Sequence, residues 1–388
     1  MLISDCGFRS AGIGNPKSGI GRGGRGWLCI GALLVMAWPL CGAAQDDRDD
    51  DPTKLPGEAD RFYRLGQWEK AETLMREAVA KEAGDRNRSG LVNVLYRARK
   101  YDDCMKECEQ LAQTKDPGLR AWALAVKGTC AWKKGDAAGA RTWCEQATAI
   151  ADAKAVNAFP AARRIVHMTL AFSAWKWRES KHFIVIHPPD APFASDLPSF
   201  EAKLEAAYAA TSGALEASLD DRIEVYCFND QRQADEILGV PLSFTVARER
   251  AAYVLPTSSI GHAIAHVLSF YAASRKDRER PRSVFLREGI ACALAYDRLW
   301  DERMAEVPAT LARDGRLLPL AELLARDGTG AEFTATAGAF VRWLRESRGA
   351  EKFLKLWTEY NDGADPWTHV YGEAIKDLEA AWRKSLAR

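Results

Sequence analysis

The chain has 388 residues, with 54 basic and 53 acidic side chains, a formal net charge of +1 and 47 % hydrophobic residues. It carries no basic face or tail beyond its first residues, which argues against nucleic acid as a partner. Its length and apolar content allow two domains, each with its own core.

Residues Met1 to Arg25 are rich in Gly, Arg and Lys, and Trp27 to Cys41 is then apolar, followed by Gly42, Ala43 and Ala44. A basic start, a short apolar run and a small-residue site read as a secretory signal over 1–44, cleaved after Ala44. The alternative is a retained anchor, but the run is shorter than the ~20 residues a spanning helix needs. The reading is therefore an exported protein, periplasmic or secreted, with no stable membrane span after cleavage. Residues 45–56 are acidic and bounded by proline, as in a solvated linker. Three of the nine cysteines lie in the leader; the remaining six (Cys104, Cys108, Cys130, Cys144, Cys227 and Cys292) sit inside apolar patterns. No C-x-x-C pair occurs, so small buried hydrophobes are expected rather than a cysteine metal site.

Residues 57–155 hold helical periodicity and an internal repeat. Phe62, Gly66, Trp68, Ala71, Met75 and Ala78 define one unit, Leu95, Tyr101, Cys104, Cys108 and Leu111 a second, and Gly128, Gly135, Ala140, Cys144 and Ala147 a third. Trp68, Tyr101 and Ala137 share one repeat position, 33 and then 36 residues apart. The spacing resembles tetratricopeptide repeats, whose period is about 34. In the second unit Arg99 stands where a glycine is usual. Such helix hairpins bury their apolar faces by stacking on neighbours. They offer either a concave surface for a peptide or protein, or a brace for the domain after them. Residues 156–179 read as a bridging helix, from Phe159 to Arg178, with His167 packed on its apolar side.

From Ser180 onward the pattern mixes strands and helices. Strands are expected at Lys181–His187, Arg222–Phe228 and Ala251–Leu255 from alternation, β-branching and terminal prolines. Helices are expected at Leu197–Leu219, Gln231–Leu238, Arg282–Tyr296, Val307–Leu311, Leu318–Leu324, Thr336–Arg348, Ala350–Glu359 and Tyr371–Leu386. The whole is an α+β chain: all-α hairpins, then a small sheet followed by helices.

The chemistry concentrates after the third strand, in T-S-S-I-G-H-A-I-A-H-V-L-S-F-Y. Thr257 or Ser258 can cap a helix there. On that helix His262 and His266, four apart, project from one face, and Glu288 lies on the next helix. Two imidazoles and a carboxylate leave a tetrahedral zinc one open position. In the H-E-x-x-H pattern the residue after the first His is the general base; here it is Ala263, so the ligands are present and the base is not. Glu249, just before the third strand, is the candidate in sequence for another carboxylate that reaches the water. Cys292, on the face of Glu288, is a candidate fourth ligand. The alternative is that both histidines are core residues.

The strands K-H-F-I-V-I, I-E-V-Y-C-F and A-Y-V-L, the helix F-L-R-E-G-I-A-C-A-L-A-Y and the late A-F-V-R-W-L-R-E-S-R-G-A-E-K-F together resemble the peptidase MA-like domain, a gluzincin metallopeptidase fold, over 180–388. The resemblance implies zinc held by His262, His266 and Glu288, and places the family's catalytic Glu at Ala263. It implies a weakly active or inactive peptidase that binds peptides or proteins. The alternative is a repeat-containing scaffold without metal.

Overall fold

The computed structural model describes residues 55, 57–152, 160–239, 244–274, 281–295, 298–328, 330–359 and 365–387. The expected signal (1–44) and most of the expected linker (45–56) lie outside these residues. Leu55, assigned to the solvated linker, is instead buried beside Gly90 in the first helical core. No helix of the described residues is long and apolar enough to cross a membrane.

Seven helices open the described chain: α1 (Gly57–Arg64), α2 (Trp68–Lys81), α3 (Asp85–Arg97), α4 (Tyr101–Leu111), α5 (Pro117–Lys133), α6 (Ala137–Asp152) and α7 (Pro160–Phe172). The turns between hairpin partners need a left-handed residue, and Gly66 and Gly135 supply it with φ of 69° and 83°. Between α3 and α4 the same conformation is taken by Arg99, at φ 58°. That conformation is disfavoured for a side chain with a Cβ, at roughly 1–2 kcal/mol. Its guanidinium compensates by reaching Asp221 at 3.2 Å and the Arg222 carbonyl at 3.0 Å, both in the mixed part of the chain. At α5 the Asp116 carboxylate accepts from the Gly118 and Leu119 N–H groups and Pro117 occupies the first turn, a strong start signal. Helix α5 is buried nearly all round. A Cβ on Gly128 would come within 2.9 Å of Cys144 Sγ, so glycine there lets α6 close on α5.

The bridging helix ends at Phe172 rather than Arg178. Residues Lys176–Glu179 form strand β1, antiparallel to β2 (Phe183–His187). Phe172 is held among Trp132, Trp175 and Tyr226, and Trp177 packs on Trp132 at 5.3 Å. The aromatic alternation that looked helical is thus used to pair with β2. His167 is exposed, its ring 2.9 Å from the Glu236 carbonyl, not packed on an apolar face.

The sheet is completed by β3 (Ile223–Cys227), β4 (Phe244–Val246) and β5 (Ala251–Val254), in the order β1-β2-β3-β5-β4. The pairs β2–β3 and β3–β5 are parallel; β1 and β4 are antiparallel edges. The third expected strand, β5, is therefore interior, and the edge beside it is β4, which the sequence did not reveal.

Alternate residues of β2, β3 and β5 face two different layers. Phe183, Val185, Ile223, Val225, Cys227, Ala252 and Val254 join the large core with α8 (Leu197–Leu215) and the later helices. Ile186, Tyr226, Ala251 and Tyr253 join Trp132, Ala140 and Phe172 of the N-terminal helices, with Ala234 and Leu238 of α9 (Gln231–Leu238). The N-terminal helices thus cover one face of the sheet directly. An ionic cluster lies in the same layer: Lys133 of α5 donates to Glu224 of β3 and to Tyr226 Oη (2.6 Å), and Tyr226 Oη donates to Glu224 at 2.7 Å.

The remaining helices are α10 (Ile260–Ser274), α11 (Val284–Ala293), α12 (Arg298–Arg313), α13 (Leu320–Ala325), α14 (Ala331–Arg348), α15 (Ala350–Glu359), α16 (Pro366–Tyr371) and α17 (Ile375–Leu386). Helix α12 runs through Pro308 and is longer than expected. The last expected helix begins only at Ile375, after Gly372 turns left-handed at φ 74°, and the short α16 before it was not expected. Helices α11 and α14 cross closely: a Cβ on Gly289 would lie 2.7 Å from the Ala337 carbonyl oxygen. Among the described residues the six cysteines are all buried thiols.

Candidate functional site

Strand β5 delivers the chain to a tight turn. Ser258 N–H donates to the Leu255 carbonyl at 2.9 Å and its Oγ accepts from Leu255 N–H at 3.0 Å. Ser258 therefore closes the turn instead of capping the helix, and α10 starts at Ile260. The next residue, Gly261, meets the end of α11: an added Cβ there would overlap the Ala295 carbonyl. Glycine is needed for this close approach, which brings His262 and His266 of α10 against Glu288 of α11. The far end of α10 is tied to the first helical turn, with Gln67 Nε2 donating to the Ser274 carbonyl at 2.9 Å and Ser274 Oγ donating to the Leu65 carbonyl. Midway, Trp357 Nε1 donates to the Ser269 carbonyl at 2.8 Å.

The three predicted ligands come together. The Nε2 atoms of His262 and His266 are 3.0 Å apart, and each lies 3.4 Å from a different oxygen of the Glu288 carboxylate, Oε2 for His262 and Oε1 for His266. One donor atom from each side chain lies within 4.8 Å of the other two, so the group can hold a metal ion. The side chains are mostly buried, with His262 the most exposed at 20 %. Burial pushes the Glu288 carboxyl up, but positive charge on His266, the hydrogen bond and charge of His262, and the neighbouring Arg287 together hold it at about 2. A buried carboxylate facing two imidazole nitrogens is a cation-binding donor set.

Ala263 is 5 % exposed and belongs to the apolar core around the sheet. Glu249 is engaged by Arg97 of α3 in an ion pair. It is not among the side chains grouped with His262, His266 and Glu288. Cys292 lies beside His262, but its Sγ is 3.4 Å from Nδ1, the ring nitrogen other than the one nearest His266 and Glu288. In this arrangement the thiol contacts the far side of the ring and is not a fourth ligand. One neighbour escaped the sequence reading: Trp300 of α12 stacks on His262 at 5.6 Å and 19°. Nothing local marks it, since it reaches the site only through the packing of α12 on α14.

No family model matches the chain, and neither a curated protein nor a solved structure matches it.

Proposed function

We propose that the chain is an exported protein with a gluzincin-type, peptidase MA-like domain that binds one zinc ion and extended peptides and hydrolyses them weakly or not at all. The observation that carries the metal is the size of the donor group. Two ligand atoms on a tetrahedral zinc with bonds of about 2.0–2.1 Å are about 3.3 Å apart; here the two Nε2 atoms are 3.0 Å apart, each lies 3.4 Å from a different oxygen of the Glu288 carboxylate, and one donor atom of each side chain lies within 4.8 Å of the other two. His262, His266 and Glu288 would hold the ion, leaving one position open. Zinc there would supply Lewis-acid polarisation of a carbonyl.

The chain's own residues do the rest. Glu288 and Arg287 set the charge of the group, Trp300 walls one face of His262, and Ala263 offers no proton acceptor. Lacking a general base lowers rates by ~10² to 10⁴, which supports binding over turnover. The edge strand β4, rather than β5, is where an extended peptide would add to the sheet. The tetratricopeptide-like helices serve in this reading as a brace, because Trp132, Ala140, Phe172 and Lys133 pack on the sheet face. Export rests on the leader pattern over 1–44.

The test is metal content of the purified mature protein after zinc loading. About one zinc per chain is expected, with loss in His262→Ala and Glu288→Ala. Wild type retaining no more zinc than His262→Ala/His266→Ala would replace this reading with a scaffold that carries no metal, the alternative that Ala263 favours.

A further inference from the structure

We infer that Cys292 is a positioning residue for His262, its thiol fixing the ring so that Nε2 faces His266 and Glu288; the inference rests on the metal reading proposed for this site. An imidazole that ligates through Nε2 must carry its proton on Nδ1, and that N–H needs an acceptor to hold tautomer and ring orientation. Among the described residues, the group that meets His262 Nδ1 is Cys292 Sγ, at 3.4 Å, within hydrogen-bond range for sulfur. The sulfur is confined. Cys292 is fully buried, and α14 backs it so closely that a Cβ on Gly338 would lie 2.6 Å from its own Cβ.

Glu288 and Cys292 are four residues apart on α11, hence on one face. One helix therefore supplies both a ligand and the group that aims another ligand. Trp300 stacks on the ring face while Cys292 meets its edge, so His262 is constrained in two directions. A thiol suits this place for a specific reason. It accepts a hydrogen bond without adding a second buried negative charge beside Glu288, and it also donates.

The experiment compares full-length wild type, Cys292→Ser and Cys292→Ala, each first shown to melt cooperatively. Zinc affinity is measured by competition with a chromophoric chelator, and the His262 tautomer by long-range proton–nitrogen NMR of the imidazole. The expected result is a loss of about 10- to 100-fold in zinc affinity for Cys292→Ala, recovery of most of it in Cys292→Ser, and one His262 tautomer in wild type that becomes a mixture in Cys292→Ala. Equal zinc affinity and an unchanged tautomer in Cys292→Ala would overturn the inference while leaving the metal site standing. A sulfur-to-cobalt charge-transfer band in cobalt-loaded wild type, absent from Cys292→Ser, would also overturn it, by making the thiol a ligand. Failure of wild type itself to bind zinc would instead remove the metal reading, and this inference with it.

Discussion

Glu224→Gln tests whether the N-terminal helices are locked to the sheet by charge. The carboxylate is buried on β3 and is met by Lys133, by Tyr226 Oη at 2.7 Å and by Arg99 at 3.5 Å. Glutamine keeps the shape and removes the negative charge. Lys133, only 4 % exposed, would then keep Tyr226 Oη and the ring faces of Trp132 and Tyr226 but no counter-charge. Removing one partner of a buried pair costs about 3–5 kcal/mol, and the cation–π contacts, worth about 1 kcal/mol, place the expected loss near 3 kcal/mol. With a urea m-value of about 3 kcal/mol/M, the midpoint falls by about 1 M. The double variant Lys133→Met/Glu224→Gln, which removes both charges, is expected to recover part of that loss.

The pH dependence has a definite sign. Burial pushes the Glu224 carboxyl up, but the charges of Lys133 and Arg99 and the hydrogen bonds from Lys133 and Tyr226 hold it below its ordinary value of 4.5. Its contribution is therefore complete above about pH 4.5 and is lost as pH falls through the lower folded value. The gap between wild type and Glu224→Gln should close on acidification. A loss below about 0.5 kcal/mol at neutral pH, the scale of an exposed pair, or a double variant no more stable than the single one, would refute the reasoning.

Ala263→Glu is expected to raise cleavage of unstructured peptides by up to ~10²–10⁴ and to lower the melting temperature, because the new carboxylate enters an apolar core. A stable, zinc-loaded Ala263→Glu protein with no gain in cleavage would show that more than the base is missing. Gly261→Ala forces α10 and α11 apart at the Ala295 carbonyl. It should cost about 1–3 kcal/mol and weaken zinc binding, as read by thermal melts and chelator competition. A neutral result would mean that this close approach does not set the site.

Much of the candidate site was legible from residue order alone. The spacing of His262 and His266 is a property of any helix, and the apolar run from Ile260 makes that segment helical wherever it packs. The place of Ala263 beside His262 is equally local. Strands β2, β3 and β5 announced themselves through alternation and β-branching, which act within a few residues. The edges did not. Strand β1 reads as helix until β2 is there to pair with it, and β4 is three residues long, too short to show a period. The interior position of β5 depends on which strands flank it. Arg99 looked like a defect in a repeat, and only the folded chain brings Asp221 and Glu224 to its guanidinium. Cys292 shares a helix face with Glu288 by sequence, yet which nitrogen of His262 it meets depends on how α10 crosses α11. Trp300 arrives from a third helix. Helical and strand periods are written into short stretches of chain, whereas partners, edges and ring contacts arise between segments far apart in sequence, where close packing alone determines who meets whom.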